Sequence, residues 1–344
     1  MRIRWNAILG VVMTLSLVPK FVPAGEPVSL IFDTDIGNDI DDALALALIH
    51  GLENRGECRL LAVTCSKQNK FAASYIDAVN TYYGRGDIPI GRVRNGKTPE
   101  PGSYVKRVVE TKNTDGTPRY PHDLGPETKT FEAIDLLRKT LASQPDQSVV
   151  LVVVGFSTNA SRLLASPPDK HSDLPGRELV KKKVRLLSMM ACSFATDPKK
   201  RPRTGIEYNV RIDIPEARSV IHNWPTPIVM SPWWLGQSIR YPSISIEHDF
   251  ARFGPNPVEQ GYRLWGKMPY DRPTYDLTSV LYAVRPDRAY FELSKPGRIT
   301  IHNDGRSTFA VSANGSHRIL SATPDQVVRV RELFTLLCSA QPRH

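Results

Sequence analysis

Five aspartates, Asp33, Asp35, Asp39, Asp41 and Asp42, fall within ten residues, between an apolar run ending at Phe32 and an alanine-leucine run beginning at Ala43. So much negative charge in so short a span repels itself unless a cation sits among it. Carboxylate oxygens are hard ligands, and their usual partners are Ca²⁺ and Mg²⁺. Helix capping and dipole effects account for one or two aspartates at such a junction, not five. Asp33 and Asp35, at i and i+2, project to the same side of a strand end. Asp41 and Asp42 fall in the first turn of the helix that follows, and Gly37 permits the tight turn between the pairs.

These residues need a scaffold that brings strand ends together. Val28 to Phe32 reads as a short buried strand, Ala43 to Leu52 as a helix, Leu60 to Thr64 as a strand and Phe71 to Tyr83 as a helix. The segment Gly84 to Gly91, with Ile88-Pro89-Ile90, leads into a third short strand. Residues 95–129, rich in Pro, Gly, Thr and charge, read as a long irregular insertion. The pattern resumes with a helix over 131–141, the strongest strand at Ser148 to Val154, a helix over 159–164 and a strand over 184–190. Further on come a helix over 214–222, a strand over 227–231, a helix over 275–284, strands near 299–301 and 308–311, and a helix over 324–337. Strands alternating with helices predict an α/β chain: an open, mostly parallel, Rossmann-like central sheet flanked by helices. Ligands of such sheets bind outside the carboxyl ends of the strands, where the aspartates are.

Residues 1–24 carry Arg2 and Arg4, an apolar stretch from Ala7 to Val18 and the small-residue site Val22-Pro23-Ala24. That is the pattern of a secretory signal peptide. The remaining residues, 25–344, show no repeat and no dividing linker and read as one domain, exported, with no membrane span after cleavage. Removal of the leader lowers the formal charge from +10 to +7. The basic residues are dispersed apart from Lys181-Lys182-Lys183 and the cluster from Lys199 to Arg203, and aromatics are not interleaved with them, which argues against nucleic acid as a partner. Four cysteines without CxxC spacing make neither a disulfide framework nor a zinc site, and free buried thiols are expected.

Asp33-Thr34-Asp35-Ile36-Gly37, followed by Asp41-Asp42-Ala43-Leu44-Ala45, resembles the opening motif of the nucleoside hydrolases, Ca²⁺-dependent N-ribohydrolases, with two extra residues, Asn38 and Asp39. Other segments resemble that family in order. Val63 to Asn69 looks like its strand and Gly-Asn loop, with Gln68 for the glycine. Val154-Gly155-Phe156-Ser157-Thr158-Asn159 is similar to its T-G-x-x-T-N turn, and Glu207-Tyr208-Asn209 with Asp213 to Ala217 to its ribose-gripping segment. Tyr275-Asp276 stands where the family has His-Asp. The resemblance spans about Leu30 to Val284.

The resemblance implies the nucleoside hydrolase fold, and Ca²⁺ held by Asp35, Asp42, Asp276 and the Val154 carbonyl. It also implies a metal-activated water whose proton passes to Asp35 as general base. Asp41, Asn69, Glu207 and Asn209 would hold the sugar, and Tyr275 would face the base. The expected reaction is hydrolysis of the N-glycosidic bond of a nucleoside or related N-riboside. Two other readings stand beside it: an exported riboside-binding protein without turnover, and a haloacid-dehalogenase-like phosphohydrolase with Asp33 as nucleophile. Base preference, proton donor and oligomeric state are left open, self-association among the options.

Overall fold

The computed structural model describes residues 26–194 and 206–343. The proposed leader and the basic cluster 199–203 lie outside them. Seven parallel strands form the frame: β1 (Val28–Thr34), β2 (Cys58–Lys67), β3 (Ile90–Lys97), β4 (Phe131–Glu132), β5 (Val149–Val153), β6 (Val184–Met190) and β7 (Ile228–Ser231). Their spatial order is β4-β3-β2-β1-β5-β6-β7. The chain thus winds outward from β1 to β4, returns to lay β5 beside β1, and winds the other way. The reversal point lies between β1 and β5, which pair in parallel from Ser29–Val149 to Asp33–Val153.

Both faces of this frame are covered, which explains why its strands are continuous apolar runs rather than alternating ones. Leu30, Phe32, Val150, Val152 and Val154 pack into the core on one face. Ile31, Val149, Leu151 and Val153 pack into the core on the other. The helix Asp41–Asn54 is buried nearly all round, so its hydrophobicity has no preferred side. Its Ala-Leu repeat supplies high helix propensity, and Asp41 and Asp42 occupy the first turn, where the helix dipole favours negative charge. It packs against the helices Tyr275–Val284 and Pro324–Cys338.

The forecast strands and the main helices are present, several with longer ends. The helix expected over 131–141 begins as the two-residue strand β4 and becomes helical only from Ala133. The insertion at 95–129 contains the end of β3 and a short helix, Val105–Val109. At the far edge the two predicted strands form an antiparallel hairpin, Gly297–Ile301 with Ser307–Val311. A third strand, His317–Ser321, joins that hairpin to β7 in parallel. All four cysteines are buried and unpaired. No helix among the described residues is long and apolar enough to cross a membrane.

Candidate active site

The aspartates gather at the reversal point. Gly155 follows β5 so closely that a Cβ there would lie 2.4 Å from the Asp35 amide nitrogen. Only glycine lets the end of β5 abut the turn after β1. Ser66, at the end of β2, donates to the Thr34 carbonyl (3.2 Å) and accepts from the Phe156 amide (3.1 Å), stapling three strand ends together. Gly37 takes φ +111°, turning the chain toward the helix.

Asp41, Asp42 and Asp276 each place a carboxylate oxygen within 4.8 Å of the others, and all three are buried. The Asp276 amide donates to Asp41 Oδ2 (3.1 Å), and Thr34 Oγ1 donates to Asp42 Oδ1. Burial, reinforced by neighbouring carboxylates, holds all three acids well above the ordinary carboxylate range. Asp35 is buried beside them; desolvation pushes it up to about 6, partly offset by the Asn38 amide and Lys67. Asn38 Nδ2 donates to Asp35 Oδ2 (2.7 Å), drawing that carboxylate toward the loop. The tightest trio therefore contains Asp41, one of the expected sugar-facing residues, where Asp35 was expected.

Asp33 lies behind the cleft. It is 1% exposed, accepts from Thr64 Oγ1 (2.5 Å) and Asn159 Nδ2 (2.7 Å), and burial pushes it up to about 7. Its Oδ1 has no hydrogen-bond partner among the described residues.

The expected sugar-facing residues are held by backbone. Asn69 caps the helix Lys70–Tyr82, its Oδ1 accepting from the Phe71 amide while Nδ2 donates to the Pro99 carbonyl (2.7 Å). Glu207 caps the helix Tyr208–Ile212 by accepting from the Asn209 and Val210 amides, and burial pushes it up to about 7. Asn209 Nδ2 donates to the Val154 carbonyl (2.7 Å). That carbonyl keeps a second lone pair.

Opposite lies a wall built by residues without a motif. Arg272 forms a two-pronged ion pair with Asp39, its Nε 2.8 Å from Oδ1, and its guanidinium stacks 4.2 Å from the Trp265 ring centroid. The Tyr104 hydroxyl donates to the Asp39 carbonyl (2.6 Å) and accepts from the Gly37 amide (2.9 Å). Lys67 Nζ holds Asn38 Oδ1 (2.6 Å) and the Thr98 carbonyl (2.9 Å). The two extra residues are thus tied down on both sides. Tyr275 stacks on Trp233 and donates to Gln237 Oε1 (2.7 Å). Burial pushes its phenol up to about 12.

The family model for inosine-uridine preferring nucleoside hydrolases matches residues 30–328. The chain belongs to that family. Among curated proteins it is 26% identical over 236 residues to the pyrimidine-specific ribonucleoside hydrolase RihA of Shewanella sp. (strain MR-4); the match spans 67% of this chain and 65% of that protein's length. Its fold is similar to that of the plant nucleoside hydrolase PpNRh1, with TM-score 0.67 and 18% identity over 91% of this chain and 99% of that one. The purine-preferring ribonucleoside hydrolase of Gardnerella vaginalis also has TM-score 0.67, with 14% identity over 90% and 98%. At these identities the likeness is one of fold.

Nucleoside hydrolases are metal-dependent, and the residues present fit a hard dication. Every donor is oxygen, three buried carboxylates converge with no Lys or Arg among the described residues ion-paired to any of them, and Asp33 Oδ1 has no hydrogen-bond partner there. Lys67 and Arg272, the nearby cations, are engaged by the loop.

Proposed function

We propose that the chain hydrolyses the N-glycosidic bond of ribonucleosides or related N-ribosides, releasing free base and ribose. The observation that carries this reading is the convergence of Asp41, Asp42 and Asp276 beside Asp35 at the strand ends of a nucleoside hydrolase chain. We assign Ca²⁺ as the cation, held by Asp35, Asp42, Asp276 and the Val154 carbonyl, with Asp41 close enough to share in the shell. Bound there, it supplies charge that steadies the carboxylates and acidifies a coordinated water.

Asp35, buried beside the trio, accepts the proton of the attacking water. The water oxygen bonds to C1′ as the C1′–N bond breaks, the electron pair leaving with the base nitrogen. Developing positive charge on the sugar is met by the surrounding carboxylates, which the fold holds in place beforehand. Asp41, Asn69, Glu207 and Asn209 bind the sugar hydroxyls. Their backbone tethers fix them, and a sugar lacking a hydroxyl leaves buried polar groups unpaired. Tyr275 presents its ring to the base rather than its proton, because a phenol near 12 is a poor acid at neutral pH. We also propose that residues 1–24 direct export.

The raised Tyr275 phenol favours one second reading, riboside binding without turnover. Product analysis separates the two. Incubation with a panel of ribonucleosides should yield free base and reducing sugar, and Asp35→Asn should lower the rate by roughly 10²–10⁴-fold. Saturable binding with no base release, or an Asp35→Asn protein as active as the original, contradicts hydrolysis.

A further inference from the structure

The segment carrying Pro99 and Pro101 packs on Lys67 and Asn69, and with them it borders a depression of about 800 Å³ that runs away from the acidic cleft. Lys67, Lys70, Arg92, Arg94, Lys106 and Lys129 line it, and no carboxylate does. Lys67 is buried and engaged by Asn38, Thr98 and Glu100, so an anion in the concavity gains chiefly from the other five. Lys70 and Lys106 reach out to the exposed Glu127 and Glu110, at 2.6 and 3.9 Å, surface pairs that cost little to exchange. Arg94 and Lys129 are exposed and make no ion pair among the described residues. Arg92 is already oriented, its Nε donating to Thr130 Oγ1 (2.8 Å), Nη1 to the Pro126 carbonyl (3.5 Å) and Nη2 to the Thr128 carbonyl (3.4 Å), which leaves one N–H on each terminal nitrogen. A guanidinium fixed in this way presents its remaining N–H groups to phosphate oxygens at little ordering cost.

An aromatic surface adjoins the charge. Phe131 lines the groove and is 41% exposed, with Lys139 Nζ 4.9 Å from its centroid. An exposed ring beside basic side chains is a stacking platform for a nucleobase. The charge also stops abruptly. The next groove, which shares Arg94, Lys129 and Phe131, is lined by Asp77, Asp123, Glu132 and Asp135. Phosphates are thereby confined to one side of Phe131, in a bounded pocket rather than a stripe that could follow a polynucleotide backbone.

We propose that this groove, beside the acidic cleft, is a second nucleotide-binding site, which holds the phosphate groups of a nucleotide among Arg92, Arg94, Lys106 and Lys129 and its base against Phe131. The site adjoins the acidic cleft through Asn69, but the side chains that hold its phosphates take no part in hydrolysis there.

Calorimetric titration of the full chain with ADP, inorganic pyrophosphate and adenosine, in chelator to suppress turnover, tests it. ADP should bind more tightly than pyrophosphate, and both should weaken as salt rises from roughly 0.05 to 0.2 M. The double variant Arg94→Ala/Lys129→Ala should bind ADP roughly tenfold or more weakly, since hydrogen bonds to charged groups are the strong ones, while its nucleoside hydrolysis and Tm stay unchanged. Phe131→Ala should weaken ADP but not pyrophosphate, a split that general destabilisation does not produce. No ADP binding at low salt, or equal binding by the double variant, overturns the proposal. So does an oligonucleotide series whose affinity keeps rising with length, which would make this a nucleic-acid face.

Discussion

The floor of the acidic cleft and the wall facing it are built on different principles. The floor is a set of carboxylates at the reversal point of a parallel sheet, each fixed by a strand end, a helix start or a backbone amide. The wall is a chain of side-chain contacts: Asp39 to Arg272, Arg272 to Trp265, Tyr275 to Gln237 and Trp233. The floor coincides with the family's motifs, whereas the wall holds the two extra loop residues and the tyrosine in place of histidine. The proposed sugar and metal chemistry thus rests on the floor, and the proposed choice of leaving base on the wall.

Changes to the floor should abolish chemistry. Asp276→Asn should cut kcat by roughly 10²-fold or more, since metal-ligand and charge-stabilising groups contribute at that scale. Because removing a carboxylate also relieves repulsion among buried acids, its metal-free form should melt no lower than the unaltered protein by calorimetry. Survival of most activity would place the metal elsewhere.

The wall should respond differently. Arg272→Ala leaves Asp39 without its partner and frees the loop, at a cost of about 2 kcal/mol in unfolding experiments. Its kinetic effect should appear as altered preference among bases, with the cost of removing the ribose 2′-hydroxyl unchanged. Equal losses on every nucleoside would show that the wall is only structural. Smaller still is the effect of Tyr275→Phe, expected within roughly threefold in kcat, because a rate contribution from general acid catalysis would be far larger. A hundredfold loss would make the phenol the proton donor after all.

A region outside this contrast supplies a check on the fold. His317, on the strand that joins the edge hairpin to β7, accepts from the Ile299 amide (3.0 Å) and is pushed down to about 4 by burial. The unfolded chain takes up that proton near pH 6.5, and the folded chain only near 4. The stability associated with the neutral ring is therefore complete above about 6.5 and is lost as pH falls toward 4. Replacement by Asn, which keeps an acceptor, should flatten the fall of Tm across that window.

The sequence was most legible where one physical constraint acted on a short segment. Five aspartates demanded a cation, and runs such as 149–153 and 41–54, buried on all sides, announced themselves by composition. The strand over 317–321 escaped notice because its polar His317 and Arg318 hide a pairing decided by a distant partner. The capping duties of Asn69 and Glu207 were not read from the sequence, since each depends on where the following helix begins. Nor were Ser66, Lys67, Asn159 and Arg272, since their partners lie far away in sequence and a lone Ser, Lys or Arg carries no local signature. The inclusion of Asp41 in the tightest trio was likewise invisible, being set by the Asp276 amide.

The most direct test of the account is the rate of free-base release from inosine and uridine by chelator-treated protein as Ca²⁺ is returned. The account predicts negligible release without the ion, recovery with a saturable dependence on Ca²⁺, and a parallel rise in Tm by mass action, about 2.7 kcal/mol of stabilisation at a hundredfold excess over Kd. Undiminished release in the presence of chelator would contradict it.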